Sequence, residues 1–332
     1  MRIALDAMGG DHAPEAVAEG AFQAAREWPD TEIVLLGPEG TMNPLLKERV
    51  LPNFTLQGVS EWIEAGEEPV KAVRRKKNSS IVVGCRMVRE CQTDAFISAG
   101  NTGALMAAGL FGTGRLKGID RPALSPVFPT MTGKGMLVLD VGANPEARPE
   151  HLEQYALMGS IVAEKVLGYE NPRVGLLNIG TEEGKGTALT KEAFGLIEGL
   201  PVHFVGNVEA RDALYGVCDV LVCDGFSGNI LLKNTEGVAK AIFDRLKQEL
   251  TRTPFHKLAA AVLKSGLKRF AAEIDYKEHG GAPLLGLKGP VIKAHGSSDA
   301  RAVYNAVRQA RLFVEQGVIS QISEQLKRVE RG

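Results

Sequence analysis

Long apolar runs are missing from this chain. No stretch approaches the roughly 18 consecutive apolar residues that a membrane-spanning helix needs, so any membrane contact is expected to be peripheral. A surplus of positive charge is missing too. Lys and Arg number 39 against 40 Asp and Glu, for a formal net charge of −1, whereas nucleic-acid binders are usually clearly basic. Cysteine is scarce: Cys85, Cys91, Cys218 and Cys223 form no C-x-x-C pair, and no histidine pair stands at zinc-finger spacing. We expect reduced, mostly buried thiols in a cytoplasmic protein. The chain opens straight into a strand pattern, Arg2-Ile-Ala-Leu-Asp6, rather than a signal peptide. The N-x-S/T triplets at Asn53 and Asn78 therefore carry no weight. Internal repeats and low-complexity linkers are absent as well.

What is present is enough apolar material for a large core, 44% of 332 residues. Short runs rich in Val, Ile and Leu predict strands over 3–5, 32–36, 95–98, 136–141, 173–178, 203–205 and 220–223. Ala-rich segments with helical periodicity lie between them, at 14–27, 103–110 and 151–167. Strands alternating with helices predict one α/β domain over 1–332, a three-layer α/β/α sandwich around a mainly parallel sheet. The predicted strands run into Gly, Asn, Asp or Thr, and in open α/β sheets the ligand crevice lies outside the carboxyl ends of the strands. Residues 235–276 differ. They are helix-rich and basic, with a break near Thr253-Pro254, and predict a helical hairpin projecting from the sheet domain.

Several loops carry polar groups in patterns that suit an anion. Asp6-Ala-Met-Gly9-Gly10-Asp11-His12-Ala-Pro14 follows the first strand, and paired glycines let backbone N–H groups approach a ligand closely. An ordinary turn would use glycines too, but this density of Asp, Gly and His favours a site. Ser98-Ala-Gly100-Asn101-Thr102-Gly103 repeats the arrangement, with a plain helix cap by Asn101 or Thr102 as the alternative. Lys293-Ala-His295-Gly-Ser-Ser298 follows the apolar Pro290-Val-Ile292 and makes His295 a loop candidate.

Other patterns fail on spacing. Gly180-Thr-Glu-Glu-Gly184-Lys185-Gly186-Thr187 has three residues where a P-loop needs four, and Lys185 is followed by Gly. It remains a flexible loop bearing one lysine. Gly225-Phe-Ser227-Gly228-Asn229 places its second Gly one residue too early for a nucleophile elbow, which leaves Ser227 weak and Asn229 more useful as an amide donor. No G-x-G-x-x-G follows the first strand, and Gly112-Thr-Gly114-Arg-Leu-Lys117 lacks the third glycine, which weakens a nicotinamide dehydrogenase.

Taken in order, these segments resemble the phosphate acyltransferase family of bacterial phospholipid synthesis. The resemblance rests on residues 1–14, Pro69-Val-Lys-Ala-Val-Arg-Arg-Lys-Lys-Asn-Ser-Ser80, residues 98–109, Lys117-Gly-Ile-Asp-Arg-Pro-Ala123 and Leu139-Asp-Val-Gly-Ala-Asn144. It continues through Arg173-Val-Gly-Leu-Leu-Asn178, Phe204-Val-Gly-Asn-Val-Glu-Ala-Arg211, residues 224–229 and Pro290-Val-Ile-Lys-Ala-His-Gly-Ser-Ser298. It implies a fold similar to that of isocitrate and isopropylmalate dehydrogenases and of phosphotransacetylase, usually as a homodimer. The implied reaction is attack of inorganic phosphate on the thioester of a long-chain acyl carrier protein, with no metal or other cofactor. Phosphate is already an anionic nucleophile, so the protein has to position it and stabilise the oxyanion.

Under that resemblance Lys185, Asn229 and His295 are the expected catalytic residues. Asp6, Gly9, Gly10, Asn101, Thr102, Gly103, Asn178 and Thr181 are expected at phosphate or substrate. Arg74, Arg75, Lys76 and Lys77 form a basic cluster suited to docking an acidic carrier protein. Between residues 255 and 270 an apolar stripe includes Phe255, Leu258, Val262 and Leu263, with Lys257, Lys264 and Lys268 opposite. Such a segment suits either a membrane surface or a dimer partner. Two rivals stay open: a phosphotransacetylase or dehydrogenase on the same fold, and a non-catalytic membrane scaffold.

Overall fold

The computed structural model describes residues 1–47, 49–274 and 280–329; for 258–259 and 268–274 only the backbone is described. In chain order the described strands are β1 (Arg2–Asp6), β2 (Glu32–Gly37), β3 (Phe54–Gly58), β4 (Ala95–Ser98), β5 (Ala123–Leu124), β6 (Val127–Phe128), β7 (Met136–Leu139), β8 (Arg173–Asn178), β9 (His203–Glu209), β10 (Val220–Val222), β11 (Ala282–Leu285) and β12 (Val291–Lys293). They form two sheets, ordered β3-β2-β1-β4-β12-β11-β5 and β6-β7-β10-β8-β9. Most neighbours are parallel; β11 runs antiparallel to both β12 and β5, and β6 to β7. The short β5 and β6 lie two residues apart in sequence and carry the chain from one sheet to the other.

The helices are α1 (Glu15–Glu27), α2 (Glu39–Leu46), α3 (Pro69–Arg75), α4 (Ser80–Arg89), α5 (Thr102–Ala108), α6 (Pro149–Lys165), α7 (Ala188–Glu198), α8 (Gly225–Leu250), α9 (Pro254–Ile274), α10 (Ala300–Glu315) and α11 (Val318–Val329). The period-2 alternation of the strands sorts their side chains between layers. Ile3 and Leu5 of β1 pack with α1 and α10, while Ala4 faces the opposite side with Phe96 and Ile81 of α4. That second cluster continues through Val138 and Leu221 of the other sheet, so one core joins both sheets. The outer face of the second sheet is covered by α6 and α11, with Tyr155 and Leu152 fully buried. This is the α/β sandwich with a mainly parallel sheet that the alternation predicts, its strands divided between two sheets.

The hairpin differs in extent from the sequence expectation. Its first helix, α8, starts at Gly225, ten residues before 235, because Asp224 caps it by accepting from Phe226 N and Ser227 N at 3.0 and 2.9 Å. The break falls between Leu250 and Pro254, and residues 275–276 lie outside the described residues. Within α8 only Gly225 and Gly228 are buried, so beyond its first turns the helix leaves the core. Phe255, Val262 and Leu263 of α9 are exposed, Val262 at 81%; the side chain of Leu258 lies outside the described residues. Among the described residues no helix is long and apolar enough to cross a membrane.

Two glycines show how closely α8 approaches the sheet. A Cβ on Gly228 would sit 1.9 Å from the Asp140 carbonyl oxygen, and one on Gly225 2.7 Å from both Asn144 O and Asp140 Oδ2. Gly195 in α7, by contrast, has open space where its Cβ would be. Gly228→Ala should therefore destabilise the fold by about 1–3 kcal/mol through overpacking, while Gly195→Ala should be neutral or stabilising by about 1 kcal/mol. Urea denaturation of the two variants checks this, and equal effects would refute the packing account.

Candidate active site

The topology reverses direction between β1 and β4, since β2 and β3 lie on one side of β1 and β4 on the other. Open α/β sheets bind ligands at such a point, at the carboxyl ends of the strands. A cleft of about 950 Å³ opens there, lined by the loops after β1, β4, β7 and β12 and by the start of α8.

The loop after β1 is shaped by Asp6, which is buried. Ser98 Oγ donates to Asp6 Oδ2 at 2.7 Å and Met8 N to Oδ1 at 3.1 Å. Burial pushes the Asp6 carboxyl above the usual carboxylate range, against those hydrogen bonds and the charge of Lys293. Gly9 is required by proximity: its Cβ would lie 2.5 Å from Gly100 N and 2.7 Å from Asp6 Oδ2. Gly10 adopts φ +104°, a region that favours glycine. Asp6 thus shapes the loop from beneath, while Gly9, Gly10 and Asp11 form the cleft wall.

The loop after β7 repeats the device in the second sheet. The carboxylate of Asp140 accepts from Leu124 N, Gly142 N, Ala143 N and Asn144 N at 2.6–3.2 Å. It is fully buried, and desolvation again raises its pKa. Gly142 and Ala143 form wall opposite the β1 loop.

Asn101, Thr102 and Gly103 also line the cleft, but the Asn101 side chain is already engaged. Its Oδ1 caps α5 by accepting from Ala104 N at 3.0 Å, and its Nδ2 donates to Ala65 O and Glu67 O, both at 3.0 Å. That bond anchors the segment carrying Trp62, Ile63, Glu64 and Ala65 along the cleft lip. Lys76 holds the same segment from behind, donating to Trp62 O at 2.9 Å and pairing with Glu67. Of the basic cluster, Arg74, Arg75 and Lys77 remain exposed, next to this lip.

His295 and Asn229 both reach the cleft. Ser297 N donates to His295 Nδ1 at 3.2 Å, which places the proton of a neutral ring on Nε2. That Nε2 lies 3.9 Å from Glu236 Oε1. Lys185, Asn178 and Thr181 stand elsewhere. They follow β8, two strands from β7 and so roughly 10 Å along the sheet, and none of them lines the cleft. The Lys185 side chain is half exposed and pairs with Glu182 at 3.9 Å. Asn178 is a loop builder: its Nδ2 donates to Lys185 O at 3.1 Å and to Asn207 Oδ1 at 3.0 Å.

The sequence reading passed over four charged groups in the cleft: Glu64, Lys233, Glu236 and Lys293. Lys293 ends β12 and is nearly buried; desolvation lowers its pKa to about 8 despite the neighbouring Asp6 and Asp11. Its Nζ donates to Ala99 O at 3.1 Å and to Ala294 O. Its i,i+2 relation to His295 signalled a shared side of the strand end. Lys233 and Glu236 follow Asn229 at i+4 and i+7 on α8, and that stripe was the available signal for them. The apolar part of the cleft comes from Met106, Leu124, Pro126, Val127, Val141 and Leu232. Ser227 does not line it. The thiols of Cys85 and Cys218 are pushed up to about 12 by burial, and that of Cys223 rises for the same reason, so none is a nucleophile at neutral pH. Cys91 is exposed.

The family described as fatty acid synthesis protein matches residues 1–321. The chain is 57% identical over 328 residues to the phosphate acyltransferase of Geobacillus thermodenitrificans, covering 99% of each. It is 56% identical over 328 residues to that of Brevibacillus brevis, covering 99% of this chain and 98% of that one. Among solved structures it is similar to a phosphotransacetylase from Streptococcus pyogenes, with a TM-score of 0.61 and 18% identity. The EutD phosphotransacetylase from Staphylococcus aureus gives 0.59 and 18%; in each case 95% of this chain and 94% of the other are covered. At that identity the two structures speak for the fold alone. The matches to the two phosphate acyltransferases extend over 99% of the chain at 56–57% identity, and on that ground the chain belongs to the phosphate acyltransferase family.

Proposed function

We propose that the protein transfers a long-chain acyl group from the thioester of acyl carrier protein to inorganic phosphate, releasing acyl phosphate and the carrier thiol. The observation that carries this reading is a cleft lined both by cationic Lys293 with glycine loops and by the apolar side chains of Met106, Leu124, Val127 and Val141. Such a cleft suits an anion beside the end of an aliphatic chain.

In this reading phosphate sits against the backbone of the Gly9–Gly10 and Thr102–Gly103 loops, with Lys293 supplying the charge. Two of the three ammonium donors are taken by backbone carbonyls, which aims the group and leaves one donor for an anion. A phosphate oxygen attacks the thioester carbonyl carbon, a C–O bond forms, and the carbonyl becomes a tetrahedral oxyanion. Asn229 and His295 stabilise that charge. Collapse breaks the C–S bond, and the departing thiolate takes up a proton at the His295 end of the cleft. The acyl chain lies along Met106, Leu124, Val127 and Val141. Lys185 follows β8 and does not line the cleft wall, so it is given no direct contact with phosphate or thioester.

The carrier protein docks on Arg74, Arg75 and Lys77, whose neighbour Lys76 holds the cleft lip. An acidic partner there would meet complementary charge beside the entrance. The hairpin serves dimer packing at its base and a peripheral membrane contact through Phe255, Val262 and Leu263, where a poorly soluble acyl phosphate would be handed on.

Incubation with long-chain acyl carrier protein and phosphate should yield acyl phosphate, detected by mass spectrometry. Turnover only with acyl-coenzyme A would favour a phosphotransacetylase instead. Lys293→Ala should lower turnover by about 10²-fold, against a few-fold at most for Lys185→Ala. Because the Lys293 cation is the working form, activity should fall as pH rises through about 8. Lys293→Arg, whose guanidinium stays protonated, should lose that limb; an identical alkaline limb in Lys293→Arg would remove Lys293 from the mechanism. Arg74→Glu with Arg75→Glu should raise KM for the carrier protein, most at low salt, and an unchanged KM would move the docking surface. Val262→Glu with Leu263→Glu should abolish co-sedimentation with anionic liposomes while turnover in solution persists. Full retention on liposomes, or conversion to monomer, would rule out the membrane reading.

A further inference from the structure

We propose that Glu236 is a positioning residue that holds the His295 imidazole with its Nε2 proton in the cleft and tunes when that ring is charged. The inference rests on the proposed role of His295. Glu236 stands on the third turn of α8, seven residues after Asn229, and its side chain is only 22% exposed. One carboxylate oxygen, Oε2, meets Lys233 Nζ at 3.1 Å, and the other, Oε1, lies 3.9 Å from His295 Nε2. The carboxylate therefore bridges a cation on its own helix and the histidine on the turn after β12.

The opposite side of the ring is set by Ser297. Its backbone N–H donates to Nδ1 at 3.2 Å, and its Oγ lies 2.9 Å from the same atom. The N–H suits a neutral ring whose proton is on Nε2, and the hydroxyl oxygen can accept from Nδ1 once the ring is protonated. Protonation of Nδ1 exchanges the backbone N–H for the hydroxyl oxygen as its partner, and a carboxylate facing Nε2 favours the charged ring. Among the described residues, the charged side chains lining the cleft with the ring are Glu236 and Lys233 from α8, Lys293 from β12, Asp11 from the loop after β1 and Glu64 from the lip. Asp11 N donates to Gly296 O at 2.7 Å. Glu236 offsets the two lysines, favouring an imidazolium able to hand its Nε2 proton to the departing thiolate. The proton leaves Nε2 as the C–S bond breaks and is regained from solvent before the next turnover.

A double-mutant cycle with pH profiles tests this. Glu236→Gln, which keeps the shape and removes the charge, should lower kcat about 10-fold and move the His295-dependent limb to lower pH by about one unit. Glu236→Asp, keeping the charge, should retain the wild-type limb. Lys233→Gln should move the limb the opposite way. In a His295→Ala background, Glu236→Gln should change kcat less than twofold, because the group it serves is gone. An equal loss from Glu236→Gln in both backgrounds, or an unshifted limb in folded Glu236→Gln protein, would overturn the proposal while leaving His295 in place. Wild-type turnover in His295→Ala would instead overturn the underlying assignment of His295.

Discussion

Two buried carboxylates, Asp6 at the end of β1 and Asp140 after β7, are the constraint on which the rest of the site depends. An ionised carboxyl in a protein interior is costly unless its oxygens are hydrogen-bonded. Asp6 meets that demand with Ser98 Oγ and Met8 N, and Asp140 with four backbone amides. Meeting it forces the chain to curl around each oxygen immediately after the strand. The curls bring backbone so close that Gly9, Gly225 and Gly228 have no room for a side chain. The tight glycine loops that wall the cleft thus follow from satisfying two acids beneath it.

Much of this was legible in sequence, and the reason is period. β1, β2, β4, β8 and the long helices α1 and α6 are continuous apolar patterns with clear spacing, and their loops end in recognisable Gly, Asn and Asp clusters. The strands that went unrecognised, β3, β5, β6, β11 and β12, either are two to four residues long or, like Phe54–Gly58, alternate too weakly to register. Of these, β5 and β6 carry the chain from one sheet to the other, so the division into two was not readable from the pattern. Asn101 illustrates a different limit. Its position after a strand suits both a cap and a ligand donor, and only three-dimensional contacts reveal that its amide is spent on Ala65 and Glu67.

The lysines make the same point about chemistry. Lys185 stood out because glycines flank it, yet flanking glycines report backbone freedom, not burial, and its side chain is half exposed. Lys293 looked ordinary at the end of an apolar strand. It is the one whose environment is unusual, because desolvation rather than motif makes its ammonium responsive near neutral pH. Burial of a particular cation depends on which strands become neighbours, here β12 beside β4, and that pairing joins residues almost two hundred positions apart.

Helix α8 links the cleft to the exposed surface. A single 26-residue helix carries Asn229, Lys233 and Glu236 along the cleft, then leaves the core and meets α9 at its far end. Its start is clamped by the Asp224 cap and by the contact of Gly225 and Gly228 with the Asp140 turn. Beyond that clamp Val238, Ile242 and Leu246 are exposed, so what the outer turns rest on is not supplied by the chain's own core. An α-helix is stiff over this length, and a tilt at its outer end would be felt at Glu236, about two turns beyond the Asn229 position. The side chains facing His295 are therefore carried on the same rigid element as the apolar hairpin. A contact made by that hairpin would reach the cleft through α8 rather than through the core.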